Sequence, residues 1–71
     1  MSSQIQSVLF KTKDWSVNEA KKWLIDNEFN TNRVHTTEKY HRFRQVKPDA
    51  DVRYRIKKIG NGIAFIVGYP S

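Results

Sequence analysis

The sequence predicts an α+β domain, a two-layer sandwich of order β-α-β-β-β with one helix packed on a mostly antiparallel four-stranded sheet. Three observations predict it. Residues 16–27 carry a capping box followed by apolar residues at helical spacing. Residues 39–46 and 52–58 alternate with period two, as half-buried strands do. Gly60-Asn61-Gly62 separates the second of these from an apolar run, and Asn-Gly tolerates the positive φ angles of a tight hairpin. One helix with a single apolar stripe covers one face of a small sheet.

The elements follow in chain order. Ile5-Gln6-Ser7-Val8-Leu9-Phe10 reads as a strand that is apolar on both faces, with Ile5 and Leu9 on one and Val8 and Phe10 on the other. That pattern suits a strand buried on two sides. Ser16 and Glu19 form the S-x-x-E box, with Trp15 before it and Ala20 after it as a weak hydrophobic staple. Val17, Ala20, Trp23 and Leu24 make the stripe, and the helix runs over 17–27. Residues 28–37 read as a polar connection in which Phe29 folds back onto the helix and Val34 enters the core. In 39–46, His41, Phe43 and Gln45 share one face; Tyr40, Arg42, Arg44 and Val46 share the other. Residues 47–51, with Pro48, Asp49 and Asp51, form a turn. Val52, Tyr54 and Ile56 alternate with Arg53, Arg55 and Lys57, and 63–67 is a last strand, apolar on both faces. The last three strands are expected to form a meander. The expected core comprises Trp15, Val17, Ala20, Trp23, Leu24, Phe43, Tyr54, Ile56, Ile63 and Phe65.

The 71 residues make one domain, 1–71, that buries about 60% of its unfolded surface. Nine aromatic residues argue against disorder. With no cysteine there is no disulfide and no thiolate metal site. No apolar stretch approaches the roughly 20 residues of a membrane span, and no secretory signal is visible. The chain reads as an intracellular domain, without membrane association, and a monomer or weak homodimer.

Charge is divided unevenly. Residues 1–30 balance Lys11, Lys13, Lys21 and Lys22 against Asp14, Glu19, Asp26 and Glu28; the net +6 therefore lies entirely in 31–71. If 39–46 pairs with 52–58 around the 47–51 turn, Arg44 meets Arg53 and Arg42 meets Arg55. Like charges opposite one another cost about 0.2–1 kcal/mol per pair. Something negative then offsets them: a nearby Glu38, Asp49 or Asp51, an acidic protein partner, or a phosphate backbone. The candidate binding residues are Tyr40, Arg42, Arg44, Arg53, Arg55 and Lys57. Tyr40 adds stacking surface for single-stranded nucleic acid. The plainer alternative is a solvated face whose arginine stems cover apolar area. The expectation depends on these guanidinium groups pointing the same way, away from the tryptophans.

No reaction is indicated. His35 and His41 have neither cysteine nor a third histidine for a metal site, and none of the five serines has a base at suggestive spacing. His35-Thr36-Thr37 is a single H-x-T element, where two-histidine phosphoesterases need two. His41, on the Phe43 face, reads as a partly buried, hydrogen-bonded side chain. No Walker or dinucleotide glycine pattern occurs. The chain therefore reads as a non-enzymatic module without cofactor or metal.

The spacing Trp15, Ala20, Trp23-Leu24, Phe29, Thr37, Tyr40-x-Arg42-Phe43-Arg44-Gln45-x-x-Pro48, Gly60-x-Gly62-Ile63 and Gly68 resembles a small domain of double-stranded DNA viruses. Such segments are attached to, or encoded near, phage head-maturation (prohead protease-like) proteins, and similar stretches occur in some large DNA viruses. The resemblance spans nearly the whole chain, and Arg42-Phe43-Arg44-Gln45 after Trp23-Leu24 is its most specific part. It implies a viral setting, in the host cytoplasm or with the virion, and no activity. Here the segment reads as free-standing, without a protease domain. Two functions follow as expectations: binding of nucleic acid through its phosphate backbone with weak sequence specificity, or docking on an acidic virion or host protein.

Overall fold

The computed structural model describes residues 3–47 and 49–70. Met1, Ser2, Pro48 and Ser71 lie outside the described residues, and with Pro48 so does part of the expected 47–51 turn. One helix, α1 (Val17–Asp26), packs on an antiparallel sheet of five strands: β1 (Gln4–Lys11), β2 (Val34–Thr36), β3 (Tyr40–Arg44), β4 (Val52–Gly60) and β5 (Ile63–Pro70). The order across the sheet is β2-β3-β1-β5-β4.

Two expectations are corrected here. The connection 28–37 contains a short strand, β2, hydrogen-bonded along β3, and Val34 is 42% exposed instead of entering the core. The last three strands are not a meander, because β3 and β4 are separated by β1 and β5. Strand β1 takes the centre of the sheet because only a strand apolar on both faces tolerates that position. Its residues Val8, Leu9 and Phe10 are all buried.

The helix begins as its sequence dictates. The Ser16 hydroxyl accepts from the Glu19 N–H at 3.1 Å, and the Glu19 carboxylate accepts from the Ser16 N–H at 3.0 Å. The Ser16 backbone N–H first, and then its hydroxyl, hold the Glu19 carboxyl below the usual carboxylate value. The helix ends in a Schellman turn: Phe29 N–H donates to Leu24 O and Glu28 N–H to Ile25 O. Glu28 takes the left-handed position, φ 63°. That turn swings Phe29 back to stack on Trp23, with centroids 5.9 Å apart and planes within 7°.

Ala20 and Leu24 meet Val8, Phe10, Phe43 and Ile63 in the core, with Trp15, Val17, Trp23, Phe29 and Phe65 packed around it. Phe10 sits at the centre, edge-on to Trp15, Trp23 and Phe43. The hairpin between β4 and β5 turns through Asn61 and Gly62, with φ 56° and 75°, the pair of positive angles that the tight turn requires.

A bulge in β1 changes which side chains share a face. Ile5 pairs with Val67 and Ser7 with Ile66, so Gln6 is the extra residue. Ile5 thereby joins Val8 and Phe10 on the helix side, not Leu9 as simple alternation predicts. Tyr54 and Ile56 are likewise not core. They pair with Gly68 and Ile66, on the face turned away from the helix, and Ile56 is 63% exposed. No helix among the described residues is long and apolar enough to cross a membrane.

Candidate anion-binding faces

Directly paired residues of antiparallel strands project to the same side. Arg42 pairs with Leu9 and Arg44 with Ser7, while Val8 and Phe43 between them point into the core. Tyr40, Arg42 and Arg44 therefore lie on the open face, away from the helix. Arg53 pairs with Tyr69, Arg55 with Val67 and Lys57 with Phe65; Phe65 in turn pairs with Val8. These three cations lie on the helix side. The expected single face of guanidinium groups does not exist. Its five cations divide between the two sides of the sheet, and strands β3 and β4, which carry them, are about 14 Å apart, three strand spacings.

The open face instead gathers a cluster that the sequence reading missed. The Arg44 N–H donates to Arg33 O at 3.1 Å, and His35 pairs with Arg42. Arg33, His35, Arg42 and Arg44 thus form a two-by-two array across β2 and β3. They line a shallow depression of about 320 Å³. Two rows cross the whole sheet on this side: Ile56–Ile66–Ser7–Arg44–Arg33 and Lys58–Ala64–Leu9–Arg42–His35. At the end of β3, Tyr40 pairs with Lys11. None of the five strands contains an Asp or Glu; all seven carboxylates of the chain lie in the helix and the connections.

The array is held by neutral groups. Gln45 clamps the connection that delivers Arg33, its amide accepting from Asn30 N–H at 2.7 Å and donating to Asn30 O at 2.9 Å. The bulge brings Gln6 and Ser7, adjacent in the chain, within bonding distance of each other. Ser7 Oγ donates to Gln6 Oε1 at 2.6 Å. The half-buried Arg42 then donates from Nη2 to Gln6 Oε1 at 3.0 Å and from Nε to Ser7 Oγ at 3.2 Å. A guanidinium has five N–H donors, so Arg42 keeps three for a ligand. Its anchors are uncharged, so its positive charge is undiminished while its position is fixed.

On the helix side, Arg53, Arg55 and Lys57 form a separate strip on the edge strand β4. All three are exposed. A helix about 10 Å wide covers two or three strands at roughly 4.8 Å spacing, which leaves β4 uncovered. His41 is 8% exposed and fully engaged. Its Nε2 donates to Trp15 O at 2.9 Å, and its Nδ1 accepts from the Thr36 hydroxyl at 3.0 Å. The carbonyl can only accept, which fixes the tautomer. This histidine fastens β2 and the β1–α1 connection to β3.

The missed residues left a faint signal. Arg33 and His35 are two apart, like Arg42 and Arg44, but a three-residue strand is too short to declare its alternation. Comparison of the chain with family models, with curated proteins and with solved structures found no match.

Proposed function

We propose that this domain is a non-enzymatic binding module that holds the phosphate backbone of nucleic acid, with weak sequence specificity, on the open face of its sheet. The supporting observation is the array of Arg33, His35, Arg42 and Arg44, placed on a sheet whose strands carry no carboxylate. The like charges of Arg33 and Arg44, side by side at the edge of the sheet, cost about 0.2–1 kcal/mol, and an external polyanion offsets that cost by releasing its counterions. Arginine suits the task because its planar fork matches phosphate oxygens and stays charged. The viral setting, a place in the host cytoplasm and association with the virion belong to the same proposal, and rest on the resemblance of the helix and Arg42-Phe43-Arg44-Gln45 segments.

The test is a titration of the purified chain against single- and double-stranded oligonucleotides at low salt, repeated as salt rises. Binding that weakens linearly in log–log form supports the reading. Affinity no tighter than millimolar, or a flat response to salt, removes it.

A second reading, docking on an acidic virion or host protein, is favoured by a different observation. The Arg53–Arg55–Lys57 strip lies on the opposite side, on an open edge, beside Tyr69, which is 40% exposed. Capture of one specific protein after nuclease treatment, lost in Arg53→Gln/Arg55→Gln, supports that reading.

A further inference from the structure

On the open face, beside the arginine array, the sheet forms a pocket of about 150 Å³ whose floor and walls include Gln4, Gln6, Tyr54 and Gly68, with the charged Lys47 and Asp49 also in its lining. It is far smaller than the roughly 300 Å³ at which sites for whole cofactors begin, and it suits one flat ring system. Its aromatic wall is fixed in place. Tyr54 lies over Gly68, where a Cβ would come within 3.0 Å of Tyr54 Cε1 and 2.9 Å of Val52 Cγ1. Only glycine lets the ring approach β5 so closely. The Tyr54 hydroxyl accepts from the Asp49 N–H, which pins the far end of the ring. The exposed amide of Gln4 offers both a donor and an acceptor at the rim.

The pocket and the cations are joined through one residue. Gln6 lines the pocket, and its Oε1 holds the Arg42 guanidinium at 3.0 Å. Gln6 thus stands between the pocket and the Arg42 guanidinium, so a strand whose phosphates lie on the free donors of Arg42 runs toward the Tyr54 ring. A duplex keeps its bases stacked and paired, and has nothing to place there. Base–aromatic stacking is tolerant of sequence, as the weak specificity of a backbone reader requires.

We infer that the open face selects single-stranded nucleic acid, seating one unpaired base against Tyr54 while phosphates of the same strand lie on Arg42 and Arg44. This rests on the nucleic-acid reading above and deepens it.

Three probes of equal length separate the two claims: oligothymidylate, an abasic strand, and a duplex. We expect oligothymidylate to bind roughly tenfold more tightly than the abasic strand or the duplex, the value of about one stacked base. Tyr54→Leu, confirmed as folded by its thermal melt, removes that advantage and leaves abasic binding unchanged. In the wild-type chain, oligothymidylate shifts the Gly68 amide resonance, and inorganic pyrophosphate does not. Equal affinity for all three probes overturns the inference and leaves backbone binding standing. Absence of binding to any of them overturns both.

Discussion

The Arg42 guanidinium donates to Gln6 Oε1 at 3.0 Å, and the Gln6 side chain that holds it is 1% exposed. The same oxygen takes the Ser7 hydroxyl, and the Gln6 amide nitrogen donates to Val46 O at 3.0 Å. Gln6→Ala leaves those partners unsatisfied. We expect a loss of about 1–3 kcal/mol in urea unfolding. Oligonucleotide binding weakens as well, because Arg42 keeps its charge but loses its fixed position. Unchanged affinity in a folded Gln6→Ala variant would show that the anchor has no part in binding.

The Schellman turn places a non-glycine residue, Glu28, at φ 63°. A Cβ in that region costs roughly 1 kcal/mol, part of which glycine returns as entropy of the unfolded chain. Glu28→Gly should therefore raise stability by about 0.5–1 kcal/mol, read as a higher urea midpoint at unchanged slope. A lower midpoint would mean that the Glu28 side chain makes a contribution larger than the strain.

Glu19 gives the capping box a pH dependence. Hydrogen bonds from Ser16 lower its folded pKa below the ordinary 4.5. A depressed carboxylate contributes stability that is complete above the unfolded value and is lost as pH falls through the folded one. The difference in urea midpoint between wild type and Glu19→Gln should thus be constant near neutrality and shrink below about pH 4.5. A difference that grows on acidification would contradict the assignment.

Thr36 secures β2 through His41 Nδ1 at 3.0 Å. Thr36→Val keeps the shape and removes the hydroxyl, so the cost should be about 1 kcal/mol. The loss is local, since β2 is a three-residue edge strand. Hydrogen exchange is the discriminating measurement: the β2 amides should lose protection while those of β1 and β5 keep theirs.

Local signals in the sequence were reliable where neighbouring residues settle the outcome. The Ser16–Glu19 box, the turn at Asn61-Gly62, the return of Phe29 and the buried, bonded His41 all follow from short-range chemistry. What alternation could not supply was which face of a strand meets the helix and which strands are neighbours. β5 is apolar on both sides, so Phe65 and Ile66 gave no sign of which one points at Trp23. Once Phe65 takes the helix side, its partner Lys57 follows, and Tyr54 and Ile56 are turned outward. The Gln6 bulge adds a change of parity that no period-two reading registers. The helix spans 10 residues and covers too few strands to reach β4. Cations can therefore occupy the helix side of that edge, where charged side chains also discourage pairing between copies.

The division of cations between the two faces is tested most directly by the salt dependence of binding to one single-stranded oligonucleotide. Three chains are compared: wild type, Arg33→Gln/Arg44→Gln and Arg53→Gln/Arg55→Gln. Each phosphate contact contributes about 0.7 to the slope of log K against log salt, so losing Arg33 and Arg44 should reduce it by about 1.4. Losing Arg53 and Arg55 should leave the slope as it is. Equal reduction in both variants, or reduction only in the β4 variant, would contradict the account.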